Sequence, residues 1–213
     1  MYDYCLFDLD GTLTDPKIGI TNSVAYALNH FGIKSDPDEL IKFIGPPIRD
    51  SFRIFYGMNE TDIETAVEKY REYFPEKGIY ENTLYPGTNN MLEKLSKQSD
   101  LVIATSKPTV YAKIVADHFG FTKYFKDIAG SELDGRRSKK SEIITYIKEE
   151  IIQNSSKSII MIGDRQHDII GAKETGIKSI GVTWGYGSRE ELTNNGADYI
   201  VDNLEELLSL LEK

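Results

Sequence analysis

Six short apolar runs, set far apart with helical periodicity between them, place the strongest limit on what this chain can become. They are Tyr2 to Phe7, Leu101 to Ala104, the weaker pair Ile128 and Ala129, Ser158 to Ile162, Ser179 to Thr183 and Tyr199 to Val201. Between the later runs the apolar residues recur at helical spacing, as in Met91, Leu92 and Leu95, or in Ile143, Ile144, Ile147 and Ile151. A strand, helix, strand repetition of this kind predicts an α/β fold: a Rossmann-like parallel sheet covered by helices on both faces. In such sheets the ligand site lies at the carboxyl ends of the strands. The last periodic stretch, Leu204 to Leu211, reads as a packing helix.

One segment breaks the alternation. From residue 15 to residue 84 there is no convincing strand, and the apolar residues fall at helical intervals: Ile20, Val24, Ala27, Leu28 and Phe31, then Ile63, Val67, Tyr70 and Phe74. Ile48, Phe52, Phe55 and Tyr56 make a third helix behind the breaker Gly45-Pro46-Pro47. The expected organisation is an α/β core of residues 1–14 and 85–213 with an inserted helical cap at 15–84. The competing layout is a few extra helices packed on the sheet edge.

Composition removes several functions. With 213 residues the chain is long enough to bury a core without staples, and its one cysteine, Cys5, lies within an apolar run, so neither a disulfide nor a thiolate metal cluster is expected. Acidic residues number 34 against 25 basic, a formal charge of -9, which disfavours a nucleic-acid surface because counterion release needs clustered Lys and Arg. No apolar stretch approaches the roughly 20 residues of a membrane-spanning helix. We therefore expect a cytoplasmic protein with no membrane and no nucleic-acid partner. An anionic ligand has to be held by local arrangement against the overall field.

The ends of the apolar runs carry the chemistry. The first ends in Asp8-Leu9-Asp10-Gly11-Thr12, where strand alternation would put Asp8 and Asp10 on one side. Two close carboxylates repel, which raises the pKa of one unless a cation lies between them. The run Ile159 to Ile162 ends in Gly163-Asp164, with Asp168 four residues on, and parallel strands would bring these acids to the same edge. Oxygen-only ligands suit Mg²⁺ better than zinc, and His167, alone among these acids, reads as a solvent or supporting residue. The run Leu101 to Ala104 ends in Thr105-Ser106-Lys107-Pro108, a hydroxyl and backbone N–H groups that suit a phosphate or simply cap a helix. The one dense basic run, Arg136 to Lys140, reads either as a solvated turn or as a source of charge for a carboxylate and a phosphate.

In this order the residues Asp8-Leu9-Asp10-Gly11-Thr12-Leu13-Thr14, Thr105-Ser106-Lys107-Pro108, a lysine ahead of a helix, and Gly163-Asp164-Arg165-Gln166-His167-Asp168 resemble the four motifs of haloacid dehalogenase-like phosphatases. The likeness extends over the whole chain, including the cap and the late Gly181 to Gly187, and is nearest the phosphoglycolate phosphatase-like branch. It implies that Asp8 is a nucleophile forming an aspartyl-phosphate and Asp10 a general acid and base. It further implies Mg²⁺ on Asp8, the Asp10 carbonyl and Asp164, with Asp168 acting mainly through water. Thr105 and the backbone N–H groups of Leu9 and Ser106 would meet the phosphoryl oxygens. Lys140 is the expected third-motif lysine, Lys139 the second choice, and Arg49 in the cap would meet an anionic substrate group or be a solvated helix-start residue. The implied activity is hydrolysis of a small phosphorylated metabolite, phosphoglycolate-like, by a monomer or homodimer. A 5'-nucleotidase, a sugar-phosphate phosphatase or phosphomutase, and a binding module without catalysis stand as alternatives.

Overall fold

Tyr4 to Phe7 are buried at every position, as a strand flanked on both edges and covered on both faces has to be. The computed structural model describes residues 2–212. Among these residues eight strands follow in chain order: β1 (Tyr4–Phe7), β2 (Thr14–Asp15), β3 (Thr83–Leu84), β4 (Asp100–Pro108), β5 (Phe125–Ser131), β6 (Ile159–Gly163), β7 (Lys178–Val182) and β8 (Tyr199–Val201). The α-helices are α1 (Lys17–His30), α2 (Ile48–Tyr56), α3 (Glu60–Tyr73), α4 (Thr88–Leu95), α5 (Thr109–His118), α6 (Lys140–Tyr146), α7 (Gln166–Glu174), α8 (Arg189–Asn194) and α9 (Leu204–Leu211). The chain divides into two compact units, one of Met1–Asp15 with Leu84–Lys213 and the other of Pro16–Thr83. It leaves the first through β2 and returns through β3.

The first unit is the α/β fold that the apolar runs predict. Six strands form one sheet in the order β5-β4-β1-β6-β7-β8, with parallel pairing throughout. Leu6 is in register with Val102 on one side and Met161 on the other. These three, with Ala104, pack against Ile143, Ile144 and Ile147 and against Ala172 of α7. Each large aliphatic side chain so buried contributes about 1.5–3 kcal/mol. Phe7 faces the opposite layer, where its ring meets Phe125 edge-on at 6.2 Å. Cys5 is an inert part of this core, its thiol pushed up to about 12 by burial.

Sheet order also fixes where a ligand goes. Connections from β1 run one way to β4 and β5 and the other way to β6, β7 and β8, so the order reverses beside β1. The carboxyl ends of β4, β1 and β6 are therefore the crevice-forming position of an open α/β sheet. One detail differs from the sequence reading: β4 does not stop at Ala104 but runs on to Pro108, with an irregular register between Thr105 and Pro108.

The second unit is helical. α1 buries Ile20, Val24, Ala27 and Leu28, and α3 buries Ile63 and Val67, all periodic residues of the sequence, together with Ala66. Pro47 caps the start of α2 in an extended conformation, and Asn59 caps α3 by accepting the Asp62 N–H at 3.0 Å. Phe43 lies 5.2 Å from Phe52 and 5.4 Å from Phe55, an aromatic core that needs no polar partner. No described helix in either unit is long and apolar enough to cross a membrane.

Candidate active site

Asp8 follows β1 directly, and its N–H donates to the Ile162 carbonyl at 2.8 Å, extending the β1–β6 pairing by one residue. That step sets the carboxylate over the carboxyl ends of the strands. Asp164 occupies the matching place after β6, and Asp168 lies in the first turn of α7, accepting the Arg165 N–H at 3.1 Å. Asp8, Asp164 and Asp168 each offer a carboxylate oxygen, and these oxygens lie within 4.8 Å of one another in buried surroundings.

Lys140 enters this group from the first residue of α6. Its Nζ is 3.0 Å from Asp8 Oδ1 and 2.8 Å from Asp168 Oδ1, and it donates to the Ala104 carbonyl at 2.8 Å. Burial pulls the ammonium pKa down, but the charges of Asp168 and Asp8 together outweigh it and hold the value above that of an ordinary lysine. Lys139, by contrast, is an exposed helix cap. The rest of the basic run goes elsewhere: Arg136 pairs with Asp134 at 2.7 Å, and Arg137 pairs with Glu132 and lies 3.9 Å over the Tyr146 ring.

Asp10 is not placed by strand alternation. β1 ends at Phe7, and Asp10 lies in a tight turn in which the Leu9 carbonyl accepts the N–H groups of Thr12, Leu13 and Thr14 and the Gly11 N–H returns to the Thr14 carbonyl at 2.7 Å. Gly11 is required here for two reasons. Its φ is +88°, and a Cβ would stand 2.3 Å from Asp164 Oδ2. Asp10 is buried, with Lys107 Nζ 2.5 Å from its Oδ2 and no hydrogen-bond partner on its Oδ1.

Burial governs the protonation of these acids. It raises Asp164 well above the carboxylate range, and the neighbouring charges of Asp168 and Asp8 push the same way. Asp168 is pushed up to about 6 by burial, against the pull of Lys140. Asp10 is raised by burial too, with Lys107 opposing. If all three acids ionise, they and the Lys140 ammonium beside Asp8 and Asp168 leave two formal negative charges in a buried site, the charge one divalent cation cancels. The donors are all oxygen, so the set fits a hard cation such as Mg²⁺.

Thr105 is buried in β4, its Oγ1 accepting the Lys107 N–H at 3.3 Å. The Leu9 N–H donates to Asp8 Oδ1 at 2.8 Å, and the Ser106 carbonyl accepts the Ser131 hydroxyl at 2.8 Å. His167 is partly buried, and burial, then the charges of Arg165 and Lys140, lowers its pKa below the ordinary imidazole value. In the helical unit Arg49 forms a two-pronged pair with Glu64 at 2.6 and 2.9 Å, with Glu60 at 3.6 Å.

Three residues near the site, Lys107, Tyr186 and Tyr85, have no role in the sequence reading. Lys107 stands in the second motif, where a lysine at the end of an apolar run is the available signal. The Tyr186 N–H donates to Asp164 Oδ2 at 2.8 Å while its hydroxyl donates to Asp15, and no residue type announces a backbone donor. Tyr85 stands near the same acids: burial, then the charges of Asp15, Asp164 and Asp10, lifts its phenol above the ordinary value.

The chain is similar to known proteins over its whole length. The model of the haloacid dehalogenase-like hydrolase family matches residues 5–182. A 5'-nucleotidase of Pseudomonas aeruginosa is 44% identical over 99% of this chain and 96% of its own length. A phosphoglycolate phosphatase of Vibrio parahaemolyticus is 26% identical over 96% of this chain and 94% of its own. The crystal structure of a predicted phosphatase from Clostridium acetobutylicum superposes with a TM-score of 0.96 at 48% identity, covering all of both chains. With the sheet, the buried acids and the lysine in place, the chain belongs to the haloacid dehalogenase-like hydrolases, as an enzyme acting on phosphomonoesters.

Proposed function

We propose that the enzyme is a Mg²⁺-dependent phosphatase of small phosphorylated metabolites that works through an aspartyl-phosphate on Asp8. The observation that carries this reading is Lys140, whose one ammonium is shared by Asp8 and Asp168 at 3.0 and 2.8 Å beside Asp164. Asp8, Asp164 and the Asp10 carbonyl would hold the cation, with Asp168 acting mainly through water; once bound, the cation supplies charge neutralisation for the transferring phosphoryl group. Lys140 and the Leu9 N–H both hold Asp8 Oδ1, which fixes the rotation of the attacking carboxylate. Thr105 and the N–H groups of Leu9 and Ser106 are the proposed phosphoryl contacts. For Leu9 that means sharing or giving up its bond to Asp8. Asp10, whose carboxyl burial raises above the usual range, is proposed to deliver a proton to the leaving oxygen and afterwards to take one from water. Arg49 is proposed for an anionic group on the leaving portion and would exchange Glu64 for it.

The relative at 44% identity is named a 5'-nucleotidase, which favours nucleoside 5'-monophosphates over phosphoglycolate as the substrate class. The test is Mg²⁺-dependent phosphate release from p-nitrophenyl phosphate, followed by a panel holding nucleoside monophosphates, phosphoglycolate, pyrophosphate and sugar phosphates. Turnover lost on chelation and in Asp8→Asn supports the reading. Full activity in either condition would sink the mechanism, and preference for phosphoglycolate would reverse the substrate order.

A further inference from the structure

We propose that Lys107 is a positioning residue for proton transfer: by holding Oδ2 of Asp10 it leaves Oδ1 as the oxygen that exchanges the proton with the leaving group. This inference rests on the phosphatase reading above and adds to it a residue with no part in binding the metal or the phosphoryl group.

Lys107 and Asp10 are 97 residues apart in sequence, yet Nζ and Oδ2 meet at 2.5 Å, with the two side chains only 5% and 12% exposed. An ammonium is a donor and never an acceptor, so the oxygen it holds is not the one that carries a transferable proton. The other oxygen, Oδ1, is buried and has no hydrogen-bond partner, a costly state for a carboxylate oxygen. A protonated Oδ1 meeting the oxygen of a substrate would remove that cost.

The backbone is built to bring Lys107 there. The register of β4 and β5 breaks between Thr105 and Pro108, which turns the strand end out of the regular ladder. Ser131 Oγ donates to the Ser106 carbonyl at 2.8 Å, and the Gly130 N–H donates to Thr109 Oγ1 at 3.1 Å, so both sides of Lys107 are tied to β5. Gly130 permits this approach: a Cβ there would lie 2.2 Å from the Lys107 carbonyl oxygen. A surface lysine pairing by chance would need none of these devices.

In the first half of the reaction the Asp8 carboxylate oxygen forms a bond to phosphorus as the bond from phosphorus to the leaving oxygen breaks. The electron pair goes to that oxygen, which takes the proton from Asp10 Oδ1. Asp10 is left as a carboxylate facing the Lys107 ammonium. A water then gives its proton to Oδ1 as its oxygen attacks the aspartyl-phosphate, releasing inorganic phosphate and restoring both aspartates.

The experiment compares two substrates of nearly one shape in the holoenzyme with Mg²⁺. p-Nitrophenolate leaves readily without a proton, whereas the phenolate of phenyl phosphate, with a conjugate-acid pKa of about 10 like that of tyrosine, needs one. The measured quantity is kcat/KM, which reads only as far as cleavage of the bond to the leaving oxygen. Lys107→Met is expected to lower it about 100-fold for phenyl phosphate and less than about tenfold for p-nitrophenyl phosphate. Lys107→Arg, which keeps a charged donor, is expected to hold the ratio of the two substrates near that of the wild type. An equal loss on both substrates in Lys107→Met, with the melting temperature unchanged, would overturn the proposal. If that variant does not fold, Lys107→Gln decides by the same ratio, a neutral donor giving an intermediate selective loss and a parallel loss overturning the idea. A wild type that hydrolyses neither ester would instead overturn the phosphatase reading itself.

Discussion

The two units bury different things. Among the described residues, every charged side chain that is buried belongs to the α/β unit: Asp8, Asp10, Lys107, Lys140, Asp164 and Asp168. The helical unit buries polar groups only as Thr21, Ser23 and Ser51, and the ion pairs of Arg53 with Glu60 and of Lys69 with Glu72 remain at its surface. Burying a charge costs several kcal/mol unless it is paired, so six of them gathered in one unit need a reason beyond packing, which the proposed chemistry supplies. The helical unit is held by aromatic and aliphatic packing, and none of its charged side chains is buried. This contrast makes opposite predictions for substitutions in the two units.

The largest effect is expected at Asp8. Asp8→Asn removes the proposed attacking oxygen while keeping the shape and a hydrogen-bond acceptor, and should lower kcat by at least about 10⁴-fold, equivalent to about 5.5 kcal/mol of barrier. Phosphate release reads it directly, and circular dichroism should show an intact fold. Next comes the packing of the helical unit. Phe52 is fully buried against Phe43, and Phe52→Ala should cost about 3–5 kcal/mol in a denaturant titration through lost burial and the cavity left behind. A cost under about 1 kcal/mol would show that aromatic packing is not what holds this unit.

A smaller effect separates the buried acids from ordinary surface carboxylates through pH. Asp168 is pushed up to about 6, and Asp164 and Asp10 are raised too, each by burial first. A raised carboxylate pKa favours the metal-free folded state while the group is protonated. That stability is fully present below about pH 4, where an unfolded carboxyl also holds its proton, and is lost as pH rises through about 6. Mg²⁺ needs the ionised acids, so the cation should restore at neutral pH what ionisation removes. At 100 times its dissociation constant it should stabilise by about 2.7 kcal/mol, or about 5–10 °C in Tm, at pH 7.5 and much less at pH 5. An equal rise in Tm at both values would mean that the cation binds elsewhere.

The same contrast explains which parts are legible in the sequence. Burial on both faces leaves a nearly continuous apolar run, so the strands around Leu6, Val102 and Met161 stand out, and with them the parallel sheet. The acid-ended runs also point to Asp8 and Asp164, because a carboxylate directly after such a run has no packing use. What escapes is set by long-range geometry. The extension of β4 to Pro108 depends on pairing with β5, the approach of Lys107 to Asp10 spans 97 residues, and the Tyr186 N–H that holds Asp164 is common to every residue but proline. Strand alternation puts Asp10 near Asp8, whereas a turn around the Leu9 carbonyl positions it. Local periodicity does not contain that turn.

Arg49 gives the smallest expected effect and the closest test of the contrast. Its guanidinium is already matched by Glu64 at 2.6 Å, with Glu60 at 3.6 Å, so binding an anionic group of a substrate means trading one carboxylate for another. Such an exchange gains little, because both states keep a paired guanidinium and both pairs are screened by water. Arg49→Ala should therefore move Tm by less than about 2 °C and raise KM for a nucleoside monophosphate or phosphoglycolate by less than about tenfold, with kcat nearly unchanged. Glu64→Gln works in the opposite direction: it releases the guanidinium and should lower KM if Arg49 meets the substrate at all. If Arg49→Ala instead weakened KM by about two orders of magnitude, and only for substrates with a second anionic group, the helical unit would hold a charge as consequential as Lys140. The division between a unit that buries charge for chemistry and one that only packs would then have to be given up.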